Sequence, residues 1–270
     1  MGMKFILVDI QEDVISYKVK ADGAVFTEKP IIMLHKNLID FFDDNDKSKI
    51  LSICHINDST IHNIKKEWSF AILLSLFITC LFSSIPFSQM KVNIFTYLQP
   101  GGILIFPITF VFLDAINEVY GRRKGKTAVY CAAFSLAIAS LFIHISMQLN
   151  PVDGVMKDSF IRVFENLPKL LIINAICVLL ADSFNNFIYN ALKGLLRGNY
   201  LALRCIISTV IGQLIYSIVW ISVFFSGKLS FEKKVEYIID NYEFKVIFCI
   251  IVCMPLTIMC VGIIKKYIYK

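Results

Sequence analysis

The chain has 270 residues, 57% of them hydrophobic, a mean hydropathy of +0.67 and a formal net charge of +6. A soluble domain of this length buries a core without being apolar along most of its sequence, so the composition points to membrane spans. The charge is unevenly spread: residues 1–64 carry 7 Lys/Arg against 10 Asp/Glu, and the surplus cations lie beside apolar runs. That distribution marks membrane topology and speaks against a nucleic-acid partner.

Residues 1–66 read as a small N-terminal soluble extension. "KFILVDI", "VISYKV" and "AVFT" are short β-prone runs divided by the turn-like "QED" and "ADG". "HKNLIDFFDDNDKSKILSICHI" is more helical, with an acidic break in its middle. The opening "MGMKFILVDIQEDV" turns acidic within nine residues and is not a secretory signal. Gly2 lacks the following Ser or Thr of a myristoylation site. No motif assigns this extension a role.

From Trp68 onward six spans are expected, at about 68–88, 101–120, 126–148, 168–192, 205–226 and 244–264, each near the twenty residues a crossing needs. The fold class is therefore an all-α integral membrane bundle of six transmembrane helices over 67–270. Lys65 and Lys66 precede the first span; Arg122, Arg123, Lys124 and Lys126 follow the second. Lys193, Arg197 and Arg204 follow the fourth; Lys265, Lys266 and Lys270 follow the sixth. The loops 149–169 and 227–245 balance acids and bases. The positive-inside rule then places both termini and the "GRRKGK" loop in the cytoplasm, as an even number of spans requires.

Several polar residues lie inside the expected spans. Asp114, Asn117 and Glu118 share one face of the second, and an acid at that depth is costly unless it faces a bundle interior or a wet cavity. Glu118 has an alternative partner in Arg122, one turn away. The fourth span repeats the theme with Asp182, Asn185 and Asn186. Asp182 and Asp114 are expected to serve one shared site; the alternative is that Asp182 bonds a neighbouring helix. The fifth span adds Arg204, Ser208, Gln213 and Tyr216. Gln213 needs a partner on another helix or on a ligand. Phe110 and Trp220 could stack on a planar ring or simply pack. Pro107, with Gly101 and Gly102, either kinks the second span or unwinds it. His144 reads as structural. The eight cysteines read as small buried hydrophobes, although Cys249 and Cys253 are one turn apart. The spacings give no metal set and no cofactor motif.

Pro107, Thr109, Phe110, Asp114, Asn117, Glu118, Tyr120 and Gly121 fit P-x-T-F-x-x-x-D-x-x-N-E-x-Y-G. That pattern resembles the signature of the YhhQ family of queuosine-precursor transporters, also called the vitamin-uptake-transporter type, and the likeness extends from Trp68 to the C-terminus. Asp182, Arg204, Ser208, Gly212 and Gln213 also resemble the family. Two departures stand out: Tyr216 occupies a position where the family often has an acid, and residues 1–66 fall outside the likeness. The resemblance implies a bacterial inner-membrane protein that imports a 7-deazaguanine: 7-cyano-7-deazaguanine, its aminomethyl form, or queuine. It implies a nucleobase-like small molecule held by Phe110, Asp114, Asn117, Glu118, Asp182, Asn185, Arg204 and Gln213. A carboxylate accepts from the N–H donors of a guanine-like edge, and an amide donates to its carbonyl.

The competing readings are a transporter coupled to protons through a membrane carboxylate, a substrate-binding subunit energised by a separate partner, and a membrane sensor. The chain has no G-x-x-x-x-G-K-[ST] loop for ATP hydrolysis. An intramembrane enzyme fits poorly, because G-x-S-x-G and H-E-x-x-H are both missing. Oligomeric state is not legible.

Overall fold

A computed structural model describes residues 5–11, 14–19, 23–53, 59–94, 97–149, 154–227 and 229–269. Gly2 and Cys54, considered above, lie outside the described residues.

The three β-prone runs form an antiparallel sheet in sequence order, β1 (Phe5–Gln11), β2 (Val14–Val19) and β3 (Val25–Glu28). Period-2 alternation decides its buried face: Ile15, Tyr17 and Val19 point inward from β2. Against them pack α1 (Pro30–His35), a 3-10 turn at Leu38–Phe41 and α2 (Asp44–Ile53), through Met33, Leu38 and Ile50. The acidic break becomes the start of α2, where Asp44 and Asp46 complement the positive helix end. These residues have a hydrophobic core of their own.

The rest is helical apart from a hairpin, β4 (Lys91–Ile94) with β5 (Tyr97–Pro100), which follows the long α3 (Ser59–Phe87). Then come α4 (Ile108–Ser146), α5 (Gly154–Phe164), α6 (Leu167–Cys177), α7 (Ser183–Leu195), α8 (Leu201–Phe224), α9 (Phe231–Phe248) and α10 (Met254–Tyr269). One-turn π-helical segments join α6 to α7 at Val178–Asp182 and α9 to α10 at Cys249–Cys253. Large apolar side chains such as Phe134, Phe142 and Ile251 point outward, as lipid contact requires. Ala128, Ala132 and Leu136, four apart on α4, are fully buried and allow close helix approach.

Among the described residues, five helical stretches are long and apolar enough to cross a membrane, where six were expected. The difference lies in Gly101–Ser146, which holds both the second and third expected spans. As a straight rod, the 39 residues of α4 would measure about 58 Å, nearly twice a bilayer core. The helix is not straight. Gly121 has φ +77° and ψ −179°, a conformation that only glycine adopts without strain. A Cβ on Gly125 would collide with the Asn117 amide. Eight residues of straight helix would hold those positions about 12 Å apart. The chain therefore bends sharply at Gly121 and returns towards itself.

Of the two alternatives for Pro107 the unwound one holds: Gly101–Leu104 is a 3-10 turn, and Pro107 caps the start of α4. One further expectation changes. The region 227–245, read as a loop, is helical from Phe231.

Candidate functional site

Polar side chains meet in three places between the Gly121 end and the Gly101 end of the first half of α4.

At the Gly121 end, Glu118 is a buried hub. Its Oε2 accepts from Arg204 Nη1 at 2.9 Å and Tyr189 OH at 2.9 Å, and lies 3.2 Å from Lys193 Nζ. Its Oε1 accepts from Lys265 Nζ at 3.0 Å. One carboxylate thus gathers cations from α7, α8 and α10. The alternative Glu118–Arg122 pair does not form: the Arg122 guanidinium lies 5.6 Å from the Phe187 ring centroid. The break at Gly121 leaves helix-end carbonyls without helical partners. Asn37 Nδ2, from the N-terminal unit, donates to the Glu118 and Val119 carbonyls, and Lys193 Nζ donates to the Glu118 carbonyl at 2.9 Å. Arg204 also donates to the carbonyls of Asn199 and Gly198. Of the sequence-predicted residues, Glu118 and Arg204 are therefore committed to each other and to the architecture around them.

In the middle, α4, α7, α8 and the π segment at Val178–Asp182 converge. A Cβ on Gly212 of α8 would stand 3.2 Å from Asn185 Cβ, 3.4 Å from the Phe110 ring and 3.5 Å from the Ala181 carbonyl. Asp114 Oδ2 accepts from Thr209 Oγ1 at 3.3 Å, and Asn117 Oδ1 accepts from Asn190 Nδ2 at 3.2 Å. Gln213 Nε2 reaches only the Cys249 sulfur, at 3.9 Å.

Six buried side-chain polar atoms among the described residues have no partner: Asp114 Oδ1, Asn117 Nδ2, Asp182 Oδ1, both amide atoms of Asn185, and Gln213 Oε1. All five residues were singled out from sequence. Buried polar groups are hydrogen-bonded as a rule, and each exception calls for a reason. Here the exceptions gather in one region. Four are acceptors and two are donors. Beside them, Phe110, Asp114, Thr209, Cys249 and Cys253 line a crevice of only about 10 Å³, far below the size of a ligand pocket.

Towards the Gly101 end lies a cluster that sequence reasoning missed. Tyr216 OH donates to Asn174 Oδ1. Ser217 Oγ donates to Asn241 Oδ1 at 3.1 Å, and Asn241 Nδ2 donates to Gln99 Oε1 at 3.0 Å. Lys245 joins this group, buried beside Ser217. The signal was present in α9 and the π turn that follows it: Asn241, Lys245 and Cys249 recur every four residues, and all three face inward. Trp220 stacks on Phe224, with ring centroids 5.0 Å apart. Cys253 is a free thiol donating to the Pro107 carbonyl at 3.4 Å. Among the described residues, no group of three or more His, Cys, Asp or Glu is placed to hold a metal ion.

A family model described as "putative vitamin uptake transporter" matches residues 100–260, from the turn before α4 into α10, a range that holds most of the three polar groups but not Asn37, Gln99 or Lys265. No curated protein and no solved structure matches the chain.

Proposed function

The chain belongs to the vitamin uptake transporter family, and from that premise we propose that it imports a 7-deazaguanine precursor of queuosine across a bacterial inner membrane. The supporting observation is the set of unpaired buried atoms. Acceptors outnumber donors there by four to two. A deazaguanine is the complement: it offers N–H groups at N1, N9 and the 2-amino position, and a carbonyl at position 6. Asp114, Asp182 and the oxygens of Asn185 and Gln213 take its donors; Asn117 or Asn185 donates to its carbonyl; Phe110 covers the ring. Leaving such groups unpaired in a dry bundle is expensive, and a ligand that pairs them recovers that cost. Glu118 and Arg204 hold the helices around the ligand and do not touch it.

The crevice, at about 10 Å³, is too small for a base. Admission of a base requires the helices to part. The π segments at Val178–Asp182 and Cys249–Cys253 border the site, and π-helical turns are frequent at functional sites. Asp114 and Asp182 are the groups available to carry a coupling proton.

The decisive experiment uses cells unable to make queuosine precursors but able to convert them. Expressing this chain and supplying each deazaguanine should restore queuosine in tRNA. No restoration by any of the three, with the protein present in the membrane, would sink the reading. Restoration abolished by a protonophore in cells carrying this gene alone indicates proton coupling; dependence on a second subunit indicates an energising partner.

The bend at Gly121 supports six crossings with both termini cytoplasmic. A cysteine at Lys233 is then expected to react with an impermeant thiol reagent added outside, whereas one at Arg123 should not. Outside labelling at position 123 overturns the topology.

A further inference from the structure

Lys245 is a cation in an unusual place. Only 4% of it is exposed, on a helix within an apolar stretch. Elsewhere in the bundle cations find carboxylates: Lys193, Arg204 and Lys265 all reach Glu118. Lys245 pairs with no described carboxylate. Its Nζ has the Ser217 hydroxyl at 3.4 Å, the Tyr216 ring centroid at 4.7 Å and the Phe106 ring centroid at 5.1 Å. Aromatic faces and one long hydroxyl contact ease the burial of an ammonium group but leave most of its donor capacity unused. A charge buried this way costs several kcal/mol, as an order of magnitude, unless something compensates it.

The surroundings connect Lys245 to the unpaired groups. It borders a second crevice of about 20 Å³ with Phe106, Asn174, Tyr216, Trp220 and Asn241. Phe106 meets Tyr216 at 4.2 Å and Phe110 at 6.0 Å, edge-on. Phe110 in turn walls the Asp114 crevice. A ligand lying against Phe110 with its donors towards Asp114, and extending past Phe106, would bring its far end to the ammonium.

We propose that Lys245 is a specificity-determining charge filter at the Gly101 end of this site, admitting a ligand whose far end is a neutral or anionic acceptor and rejecting one that carries a positive charge. The inference rests on the deazaguanine reading and sharpens it. Of the three bases, 7-cyano-7-deazaguanine presents an uncharged nitrile, an acceptor for the ammonium. The aminomethyl form and queuine each carry an amine that is protonated near neutral pH. Placing that amine beside Lys245 sets like charges together in a desolvated site.

The test measures uptake of the cyano and aminomethyl bases separately, in the precursor-deficient cells, for wild type, Lys245→Gln and Lys245→Arg. Wild type is expected to prefer the cyano base by at least about tenfold, within what like-charge contact supplies. Lys245→Arg should keep that preference, and Lys245→Gln should shrink it to about threefold or less by admitting the aminomethyl base. If Lys245→Gln does not reach the membrane, competition in wild type decides. Excess aminomethyl base leaves cyano uptake unchanged if the filter exists, and inhibits it if it does not. Equal uptake of both bases by wild type overturns the filter while leaving the transport reading intact. So does an unchanged preference in Lys245→Gln present at normal level. Uptake of queuine alone also overturns the filter and leaves the transport reading standing, whereas uptake of none of the three bases removes both.

Discussion

Cells producing the Glu118→Gln protein are expected to hold several-fold less of it in the membrane than cells producing wild type. Glutamine is nearly the same size, so no cavity forms; what changes is charge. Lys193 and Arg204 are about as buried as the carboxylate they share, and neither has another acid among its described contacts. Removing one partner of a buried ion pair costs about 3–5 kcal/mol, because the other charge stays behind uncompensated. The total stability of a folded protein is about 5–15 kcal/mol, so such a loss exposes much of the population to quality control. An amide also turns N–H donors towards cations that only donate. The check is membrane abundance by immunoblot, together with the melting temperature of the purified protein in detergent. Restoring neutrality should repair part of the damage: Glu118→Gln combined with Lys193→Met should recover abundance relative to Glu118→Gln alone. Wild-type abundance and melting temperature in the single variant would show that the hub contributes little.

What could be read from the sequence, and what could not, follows from the range of the interactions. An acid or amide in an apolar run is conspicuous by itself, because its cost does not depend on what surrounds it. Asp114, Asn117, Asp182, Asn185 and Gln213 were therefore legible one at a time. The three strands were legible for a similar reason, since Ile15, Tyr17 and Val19 alternate with half-buried neighbours within six residues. The partners of Glu118 were not legible. They lie 75, 86 and 147 residues away, and the nearest cation in sequence, Arg122, was the wrong one. Lys193 and Lys265 read as terminal loop charges because their long side chains reach inward from helix ends. Lys245 was hidden differently. Asp240 and Glu243 flank it, so the segment balanced like a loop, and only helical phase separates the inward Asn241 and Lys245 from the exposed Glu243. The bend at Gly121 showed in sequence as the basic stretch that parts two apolar runs. Its sharpness did not, because that comes from a positive φ and from the fit of Gly125 against Asn117.

Replacing Asp114 by Asn is expected to weaken uptake about ten- to a hundredfold without harming the fold, and this combination separates a ligand-binding acid from a structural one. The Asn117, Asn185 and Gln213 amides around it can re-pair, and Thr209 keeps its acceptor if the new amide turns its oxygen that way. Asparagine also removes a buried carboxylate that no described cation pairs, so the variant should melt at the wild-type temperature or above it. Uptake behaves oppositely. A hydrogen bond to a charged group contributes about 1.5–3 kcal/mol, so losing it lowers apparent affinity about ten- to a hundredfold. The amide also brings a donor to face the donors of the base. Asp182→Asn should do the same, since its Oδ1 is equally unpartnered. If the two acids serve one ligand, the double variant should lose little more than either single variant, because the loss of a shared ligand is not additive. Losses that multiply would mean separate roles. An Asp114→Asn protein that melts lower and still takes up base at equal abundance would make the acid architectural, and would detach the unpaired atoms from transport.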